Sequence, residues 1–244
     1  MSPADYTHRH RRDTLISAEE NRKMFDSISR RYDLMNLVLS LGLDRYWRRK
    51  AVKTLLPQPD DLIFDIGSGT GDIALEILRQ QPDARVVGID QAKAMLDIAE
   101  RKAALRGLQN AIRFEPGDAV ALQYPDAAFD GIISAFCIRN VEDRAKAFAE
   151  MYRVLKPGRQ AVALELSKPD CVLLRHGHKF YNRVLVPFVG HILSRGNAYK
   201  YLIDSIEDFP DSEVMMGIMR KEGFQKVRRL PLTGGIVTIF VGKR

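Results

Sequence analysis

The chain has 244 residues, a net charge of +7 and 45% hydrophobic residues, which is enough apolar sequence to bury one large core. No segment approaches the roughly 18 consecutive apolar residues that a membrane-spanning helix needs, and the polar N-terminus lacks the apolar stretch of a secretory signal. Cys137 and Cys171 are not spaced as a metal or redox motif, so we expect a reducing cytoplasm and no bound metal.

Charge is distributed unevenly along the chain. Residues 1–53 contain 12 Lys or Arg against 7 Asp or Glu, and residues 168–244 contain 13 against 7, whereas residues 54–167 contain 13 against 17. An acidic middle segment suits a cationic ligand. The basic flanks suit nucleic acid, an anionic membrane surface or simply solvent.

The N-terminal region divides into a tail and a helical segment. Residues 1–16 are predicted to form a disordered basic tail. From 17 to 56, apolar residues such as Phe25 and Ile28 recur at helical spacing, which predicts an N-terminal helical cap. Pro57 marks the boundary to the next region.

Residues 57–167 alternate between strand and helix patterns, which is typical of a parallel sheet with helices on both faces. Strands are predicted at 62–66, 85–90, 112–115, 129–135 and 160–166, with helices near 72–81, 92–106 and 142–155. Residues 211–244 are predicted to form a helix and an antiparallel hairpin, with strands near 225–231 and 236–242 joined through Thr233-Gly234-Gly235. The expected fold is a single α/β domain that binds its ligands at the carboxyl ends of the parallel strands.

The most informative stretch is the run 62–72, in which an apolar strand pattern ends in Asp65 and a glycine cluster. The glycines, which let backbone N–H groups approach a ligand, are Gly67, Gly69 and Gly71. A dinucleotide-binding loop has a further glycine or alanine one place on, where this chain has Asp72. A carboxylate in the position of a pyrophosphate favours a cationic or neutral ligand, and S-adenosylmethionine, which carries a sulfonium, is the obvious candidate.

Acids also follow the next two predicted strands. Asp90 ends the second strand, where a carboxylate can accept hydrogen bonds from both hydroxyls of a ribose. Asp118, with Ala119 beside it, follows the third strand, where a carboxylate can accept a hydrogen bond from the amino group of an adenine. Any one of these acids could instead cap a helix or a turn, but acids at three successive strand ends favour a cofactor site.

Residues 168–210 are predicted to be an insertion that covers the substrate. Aromatic and aliphatic residues are interleaved there with Lys and Arg. Such a pattern suits a lid packed on the domain, or a helix that lies on a bilayer surface. We expect most of these residues to pack in the core and those at one edge of the insertion to contact lipid.

Several motifs together resemble one known family. They include Tyr32-Asp33-Leu34-Met35-Asn36, Arg139-Asn140-Val141 and Glu165-Leu166-Ser167-Lys168-Pro169. From about residue 24 to the C-terminus, the chain resembles the ubiquinone/menaquinone biosynthesis C-methyltransferases. The resemblance implies a Rossmann-like class I fold that uses S-adenosyl-L-methionine and releases S-adenosyl-L-homocysteine.

The resemblance also assigns site residues. The family's cofactor contacts correspond to Thr70, Asp90, Asp118 and Ala119 here. With the strand ends and the glycine loop, the predicted cofactor-binding set is Asp65, Gly67, Gly69, Thr70, Gly71, Asp90, Asp118, Ala119 and Ala135. The predicted substrate-binding set is Tyr32, Asp33, Asn36, Tyr181 and Tyr201.

Three residues depart from the family pattern. Asp44 stands where the family usually has histidine, Ala135 replaces a serine expected near the cofactor, and Arg159 replaces the second glycine of a lysine-proline-glycine-glycine turn. The first departure is expected to alter the substrate entrance, and the second to cost one polar contact. None of these departures argues against the predicted cofactor site.

Arg139 and Asn140 are the predicted catalytic residues for methyl transfer to a ring carbon of a polyprenylated quinol. Arginine is too basic to abstract a proton directly, so Arg139 is expected to stabilise the forming phenolate, with a water carrying the proton away and Asn140 fixing the ring. The alternative for Arg139 is a structural salt bridge at the edge of the sheet.

The resemblance favours demethylmenaquinol as substrate, because many bacterial members act on it. Four alternatives stay open: a benzoquinol ring in ubiquinone biosynthesis, methylation of oxygen or nitrogen in another small molecule or lipid, a nucleic-acid-binding protein, and a dinucleotide oxidoreductase. Expected partners are the quinol, a membrane touched peripherally at its inner face and a second copy in a homodimer. Nucleic acid is not expected, since stacking motifs are lacking.

Overall fold

The computed structural model describes residues 17–169 and 198–244. The predicted tail, most of the predicted insertion and Tyr181 lie outside the described residues.

Two helices, rather than one continuous pattern, form the N-terminal cap. They are α1 (Ala18–Leu39) and α2 (Leu43–Leu55). Ser17 begins α1 with a capping box, in which the backbone N–H of Glu20 donates to the Ser17 hydroxyl at 3.2 Å and the Ser17 N–H donates to the Glu20 carboxylate at 2.9 Å. Leu41 and Gly42 separate the two helices, because both adopt left-handed backbone conformations that a helix cannot continue through.

A seven-stranded sheet forms the centre of the described structure, in the order β3-β2-β1-β4-β5-β7-β6. The strands are β1 (Leu62–Ile66), β2 (Arg85–Asp90), β3 (Ile112–Pro116), β4 (Gly131–Ala135), β5 (Gln160–Leu166), β6 (Gln225–Leu232) and β7 (Val237–Lys243). The first five pair in parallel, and β7 pairs antiparallel with both β5 and β6. The predicted α/β fold and its C-terminal hairpin are confirmed.

One strand begins later than the sequence predicts. The pattern indicated a strand over 129–135, but β4 begins at Gly131. Phe129 forms only an isolated bridge with Leu155, and the Asp130 carboxylate accepts hydrogen bonds from Lys156 at 2.8 and 2.9 Å. The apolar residues before β4 therefore belong to a connection packed on the core.

Helices cover both faces of the sheet. The remaining described helices are α3 (Asp72–Gln80), α4 (Lys93–Ala104), α5 (Arg144–Val154), α6 (Ala198–Glu207) and α7 (Ser212–Lys221). On one face, α2, α3 and α4 bury Trp47, Ile77 and Leu96. On the other face, α5 and α7 bury Phe148 and Met219. Within the described ranges, no helix has the length and apolar character to cross a bilayer.

Candidate active site

A cavity of about 1270 Å³ lies at the carboxyl edge of the parallel strands. Its described walls come from the loops after β1, β2, β3 and β4, from one side of α1, from the beginning of α5 and from one side of α7. This is where a parallel sheet is expected to bind its ligand. Its volume exceeds the roughly 300–1,000 Å³ typical of small-molecule sites, which is room for more than one small ligand.

The cavity brings together many of the residues predicted from the sequence. The predicted residues that line it are Tyr32, Gly67, Gly69, Asp90, Asp118, Ala119, Ala135 and Asn140. Other lining residues escaped prediction; they include Asn21, Phe25, Gln91, Ala92, Met95 and Cys137. Phe25 was recognised in the sequence only as part of a helical pattern. Asn21 lies one helical turn before it, and this spacing is the signal that could have assigned both residues to the same wall of the cavity.

Backbone N–H groups of the glycine loop are used within the protein. Those of Gly67 and Ser68 both donate to the carbonyl of Ile89, at 2.8 and 2.9 Å. The N–H of Gly69 donates to the Asp90 carboxylate at 2.9 Å. A phosphate-binding loop instead directs such groups at its ligand. The loop therefore lacks the N–H cradle that a pyrophosphate requires at these three positions.

The loop's glycines serve two different purposes. A Cβ at Gly67 would meet the Cys137 side chain at 2.4 Å, so this glycine is required for packing. Gly69 has φ +54 and no atom within 4 Å of an added Cβ, and it lines the cavity. Gly69 thus leaves open space beside its backbone for a ligand, but its N–H is bonded to Asp90 and does not point at a ligand as predicted.

Asp90 lies at the end of β2 with its carboxylate on the cavity wall. Its second oxygen accepts a hydrogen bond from the Ala92 N–H at 2.9 Å. Burial raises the pKa of this carboxyl, although the backbone N–H groups of Ala92, Gly69 and Gln91 oppose the shift. These backbone bonds fix the carboxylate where a diol can reach it.

Asp65 is fully buried behind the glycine loop. One oxygen accepts a hydrogen bond from the Ser68 hydroxyl at 2.8 Å, while Oδ1 has no partner among the described residues. Burial, together with the charge of Asp90, raises the pKa of Asp65 to about 7. Asp65 does not line the cavity itself, so it acts on a ligand through its charge and through the loop that it supports.

The acids at three strand ends leave negative charge at the cavity. In the part of the chain that the structure describes, Asp65, Asp90 and Asp118 form hydrogen bonds with backbone N–H groups or with the Ser68 hydroxyl, and no Lys or Arg pairs with them. Buried charge without a counter-ion is costly. A cationic ligand with hydrogen-bond donors would supply what these acids lack, so the site fits S-adenosylmethionine.

Asp72 does not occupy the position expected of it. Its carboxylate is bonded to the Lys102 ammonium and lies 3.9 Å from the Arg48 guanidinium, and it lines a second cavity beside α1 and α4. The prediction that Asp72 places a carboxylate in the position of a pyrophosphate is wrong. The internal hydrogen bonds of the loop and the unpaired acids favour a cationic ligand instead.

Thr70 and Asp33 belong to the same group around Lys102. The Thr70 hydroxyl donates to Asp33 at 2.5 Å, and the Lys102 ammonium donates to Asp33 at 3.0 Å and to Thr70 at 3.3 Å. Neither residue lines the large cavity, and neither does Gly71. A Cβ at Gly71 would lie 2.9 Å from Ala99 and from Phe114. These residues shape the cofactor loop from behind.

Tyr32 and Asn36 are one turn apart on α1. Tyr32 lines the cavity, and burial raises the pKa of its phenol, an effect that the cation of Arg139 and the Asn36 side chain oppose. Asn36 does not line the cavity and lies beside Tyr32. The hydroxyl of Tyr32 is therefore a neutral donor at ordinary pH.

Arg139 lies buried behind the cavity wall, not on it. Its guanidinium donates to the Phe136 carbonyl at 2.7 Å and to the Glu165 carboxylate at 3.3 Å. Glu165 is fully buried; burial raises its pKa, and Arg139 opposes that rise. The salt bridge that was the alternative for Arg139 is present, while its Nε has no partner among the described residues.

Asn140, in the segment after β4, is connected by hydrogen bonds with α6 and α1. Its side-chain oxygen accepts a hydrogen bond from the Tyr201 hydroxyl at 3.2 Å, and that hydroxyl accepts one from Asn21 of α1 at 2.7 Å. Asn21 and Asn140 both line the cavity. Tyr201, which is buried, thus holds the two amides that flank the space for a second ligand.

Two of the three departures from the family pattern are accommodated by ion pairs. Asp44 is buried, binds Arg48, and accepts a hydrogen bond from Ser40 at 2.9 Å. It lines the second cavity and not the large one. Arg159 pairs with Asp61, which explains why a charged residue is accommodated in that turn.

Comparisons with known proteins agree with this geometry. The model of the ubiE/COQ5 methyltransferase family matches residues 14–244. A demethylmenaquinone methyltransferase of Thermus thermophilus is 45% identical, over 91% of this chain and all of that protein. A ubiquinone/menaquinone biosynthesis C-methyltransferase of Geotalea daltonii is 40% identical, over 93% of this chain and 97% of its own length.

Two solved structures of similar fold are described as methyltransferases. One from Thermotoga maritima, described as dependent on S-adenosylmethionine, has a TM-score of 0.64 and 21% identity over 91% of this chain and 98% of its own. A phosphoethanolamine N-methyltransferase of Haemonchus contortus, solved with S-adenosyl-L-methionine, has a TM-score of 0.62 and 16% identity over 81% of this chain and 52% of its own. At these identities the likeness concerns the fold alone.

Proposed function

Because the chain belongs to the ubiE/COQ5 methyltransferase family, we propose that it methylates a ring carbon of demethylmenaquinol with S-adenosyl-L-methionine as donor. The demethylmenaquinone methyltransferase of Thermus thermophilus, 45% identical over its whole length, supports the naphthoquinol ring. The observation that carries the chemistry is a set of acids without a described Lys or Arg partner: Asp90 and Asp118 on the cavity wall, and Asp65 behind the glycine loop.

The chain's own residues hold and orient the donor. Asp90 accepts hydrogen bonds from a ribose diol, Asp118 faces an amino group on the adenine, and the open backbone of Gly69 allows close approach. S-adenosylmethionine brings a methyl group that its positively charged sulfur already activates. Alignment is then the main task of the protein, and good alignment is worth roughly 7–11 kcal/mol.

The acceptor ring occupies the part of the cavity next to Asn140 and Tyr32. Asn140, held by Tyr201, hydrogen-bonds a ring hydroxyl, and Tyr32 closes the opposite wall from α1. The ring carbon becomes nucleophilic when its neighbouring hydroxyl loses a proton. A phenol with a pKa of about 10 is about three units from pH 7, which corresponds to roughly 4 kcal/mol.

Arg139 supplies part of that energy from behind the wall. Its guanidinium is held by Glu165 and by the Phe136 carbonyl, so its cation acts on the phenolate across a short, water-poor layer. A water that bridges to the ring hydroxyl carries the proton away. Arg139 is thus a positioning and electrostatic residue in this proposal, whereas Asn140 touches the substrate.

The decisive experiment is methylation in vitro with labelled S-adenosylmethionine and both reduced ring types. We expect label in a prenylated naphthoquinol, at a carbon position, and much less in the matching benzoquinol. Exclusive labelling of the benzoquinol would favour the ubiquinone alternative. Label in neither ring, or label on oxygen, would contradict the proposal.

A further inference from the structure

Large apolar side chains are exposed together where α1 meets α2. Of seven such side chains in the described residues, five lie there: Leu34, Val38, Leu41, Leu43 and Tyr46. We name these five residues the elbow patch. Leu41 is 77% exposed and Leu34 is 51% exposed. Apolar side chains that gather in one place, instead of being scattered, mark an interaction surface.

The backbone explains why these side chains share a surface. Leu34 and Val38 are four residues apart, which places them on one side of α1. Leu41 lies in the left-handed turn that separates α1 from α2. Leu43 and Tyr46 continue the patch one helical turn apart on α2.

Positive charge surrounds the elbow patch. Residues 30–53 contain seven Lys or Arg and two Asp or Glu. Both acids are engaged, since Asp44 is buried against Arg48 and Asp33 is bound to Lys102. Exposed bases include Arg45 and Lys50, whereas Arg49 lies 3.8 Å from the Glu76 carboxylate.

The aromatic residue of the patch lies next to one of these bases. The Lys50 ammonium is 5.6 Å from the centre of the Tyr46 ring. An amphipathic ring beside a long cationic side chain is typical of residues at a membrane–water boundary. Apolar tips within a basic surround are typical of proteins that lie on anionic bilayers.

We propose that the elbow patch docks this protein on an anionic phospholipid bilayer. Leu41 and its apolar neighbours enter the acyl boundary, while Arg45 and Lys50 meet the headgroup phosphates. A second copy of the chain is a poorer partner, because a two-fold contact here would bring like charges together.

The position of the patch gives docking a purpose, which rests on the proposed function. Tyr32 lines the cavity, and Val38 follows six residues later on the same helix, about 9 Å along its axis. A quinol with a prenyl chain dissolves in the bilayer. Docking through α1 would therefore place the cavity mouth close to the membrane that holds the substrate.

Vesicle flotation tests the proposal without quinol or cofactor, and so independently of the proposed function. The native protein is expected to bind vesicles of equal parts phosphatidylcholine and phosphatidylglycerol, and to bind phosphatidylcholine vesicles much more weakly. Val38→Ser with Leu41→Ser should weaken binding to the mixed vesicles at least about tenfold. Arg45→Gln with Lys50→Gln should weaken it about 5- to 30-fold, and only on the anionic vesicles.

Leu56→Ser is the matched control, because Leu56 is 62% exposed and follows the far end of α2, ten residues after Tyr46. It should bind like the native protein. Circular dichroism and thermal unfolding verify that the elbow variants are folded. Native-like vesicle binding by both elbow variants would overturn the proposal, as would an equal loss in Leu56→Ser. The proposal would also be overturned if the native protein were a dimer and the double variant Val38→Ser with Leu41→Ser were a monomer, because the patch would then serve self-association.

Discussion

Asp65 lies near the end of β1 beneath the glycine loop, where its side chain is buried and the Ser68 hydroxyl donates to one of its oxygens. Its pKa is about 7, against an ordinary value of 3.8. Between these values the folded chain holds a proton that the unfolded chain has released. The free energy of unfolding therefore falls as pH rises from about 4 to 7, by at most about 4 kcal/mol from this group.

Replacing Asp65 with asparagine should remove that pH dependence. Without cofactor, the stability of Asp65→Asn relative to the native protein is expected to improve between pH 5 and pH 8, because the ionised carboxylate is gone. Chemical denaturation at the two pH values measures the difference. Asp97→Asn, at a half-exposed site on α4, is the control. A stability difference that stays constant with pH would contradict the prediction.

Arg139 and Glu165 form a buried pair whose structural and functional effects can be separated. Removing the cation alone leaves Glu165 buried and unpaired, so Arg139→Met should cost about 3–5 kcal/mol of stability. Changing both residues, as Arg139→Met with Glu165→Gln, removes the buried charge and should recover much of that loss. Denaturation curves for the three proteins measure this.

Turnover gives the second readout for the same pair. If Arg139 stabilises the phenolate, kcat of the double variant should stay at least about a hundredfold below the native value, which corresponds to roughly 2.7 kcal/mol of activation free energy. Its affinity for S-adenosylhomocysteine, measured by calorimetry, should stay near native. Recovery of kcat together with stability would assign Arg139 a purely structural role. Loss of cofactor affinity in the double variant would do the same.

Helix α1 forms one wall of the cavity and is held in place by polar contacts at several points along its length. Asn21 donates to Tyr201 at 2.7 Å, Asp26 accepts from the Ala94 N–H at 3.1 Å, and Asp33 accepts from Lys102 at 3.0 Å. The last two contacts join α1 to α4. Because Tyr32 reaches the cavity from this helix, its docking and the shape of the cofactor site are coupled.

Removing the Lys102 cation should loosen α1 without disturbing the sheet. In Lys102→Met, Asp33 and Asp72 lose their shared partner. We therefore expect amide hydrogen exchange in α1 to accelerate. The affinity for S-adenosylhomocysteine should fall about tenfold, which corresponds to about 1.4 kcal/mol of binding free energy. Exchange mass spectrometry and calorimetry measure the two effects. Lys93→Met on the same helix, which removes an exposed pair with Asp97, should change neither. Weaker binding with unchanged exchange in α1 would exclude the proposed coupling.

Across the molecule, the parts that could be predicted are those that local pattern determines. Buried runs ending in Asp65 and Asp90 predicted the strands and their carboxyl edge, because parallel strands place such ends together. The fate of Asp72 could not be predicted, because its partner Lys102 lies 30 residues away and meets it only after α3 and α4 pack on the sheet. The same holds for the pairing of Arg139 with Glu165, and for the exposure of Leu41.

The unpaired acids and the closed glycine loop lead to one prediction for the protein as a whole. A ligand that binds only the folded state at 100 times its Kd adds about 2.7 kcal/mol of stability. For a chain of this size that corresponds to a rise in Tm of roughly 5–10 °C. S-adenosylhomocysteine, which shares the adenosine and the amino group of the donor, should produce this rise in scanning calorimetry. NAD should not, because the N–H groups of Gly67, Ser68 and Gly69 are already bonded within the protein. A larger rise with NAD would favour the dinucleotide oxidoreductase and contradict the cationic site.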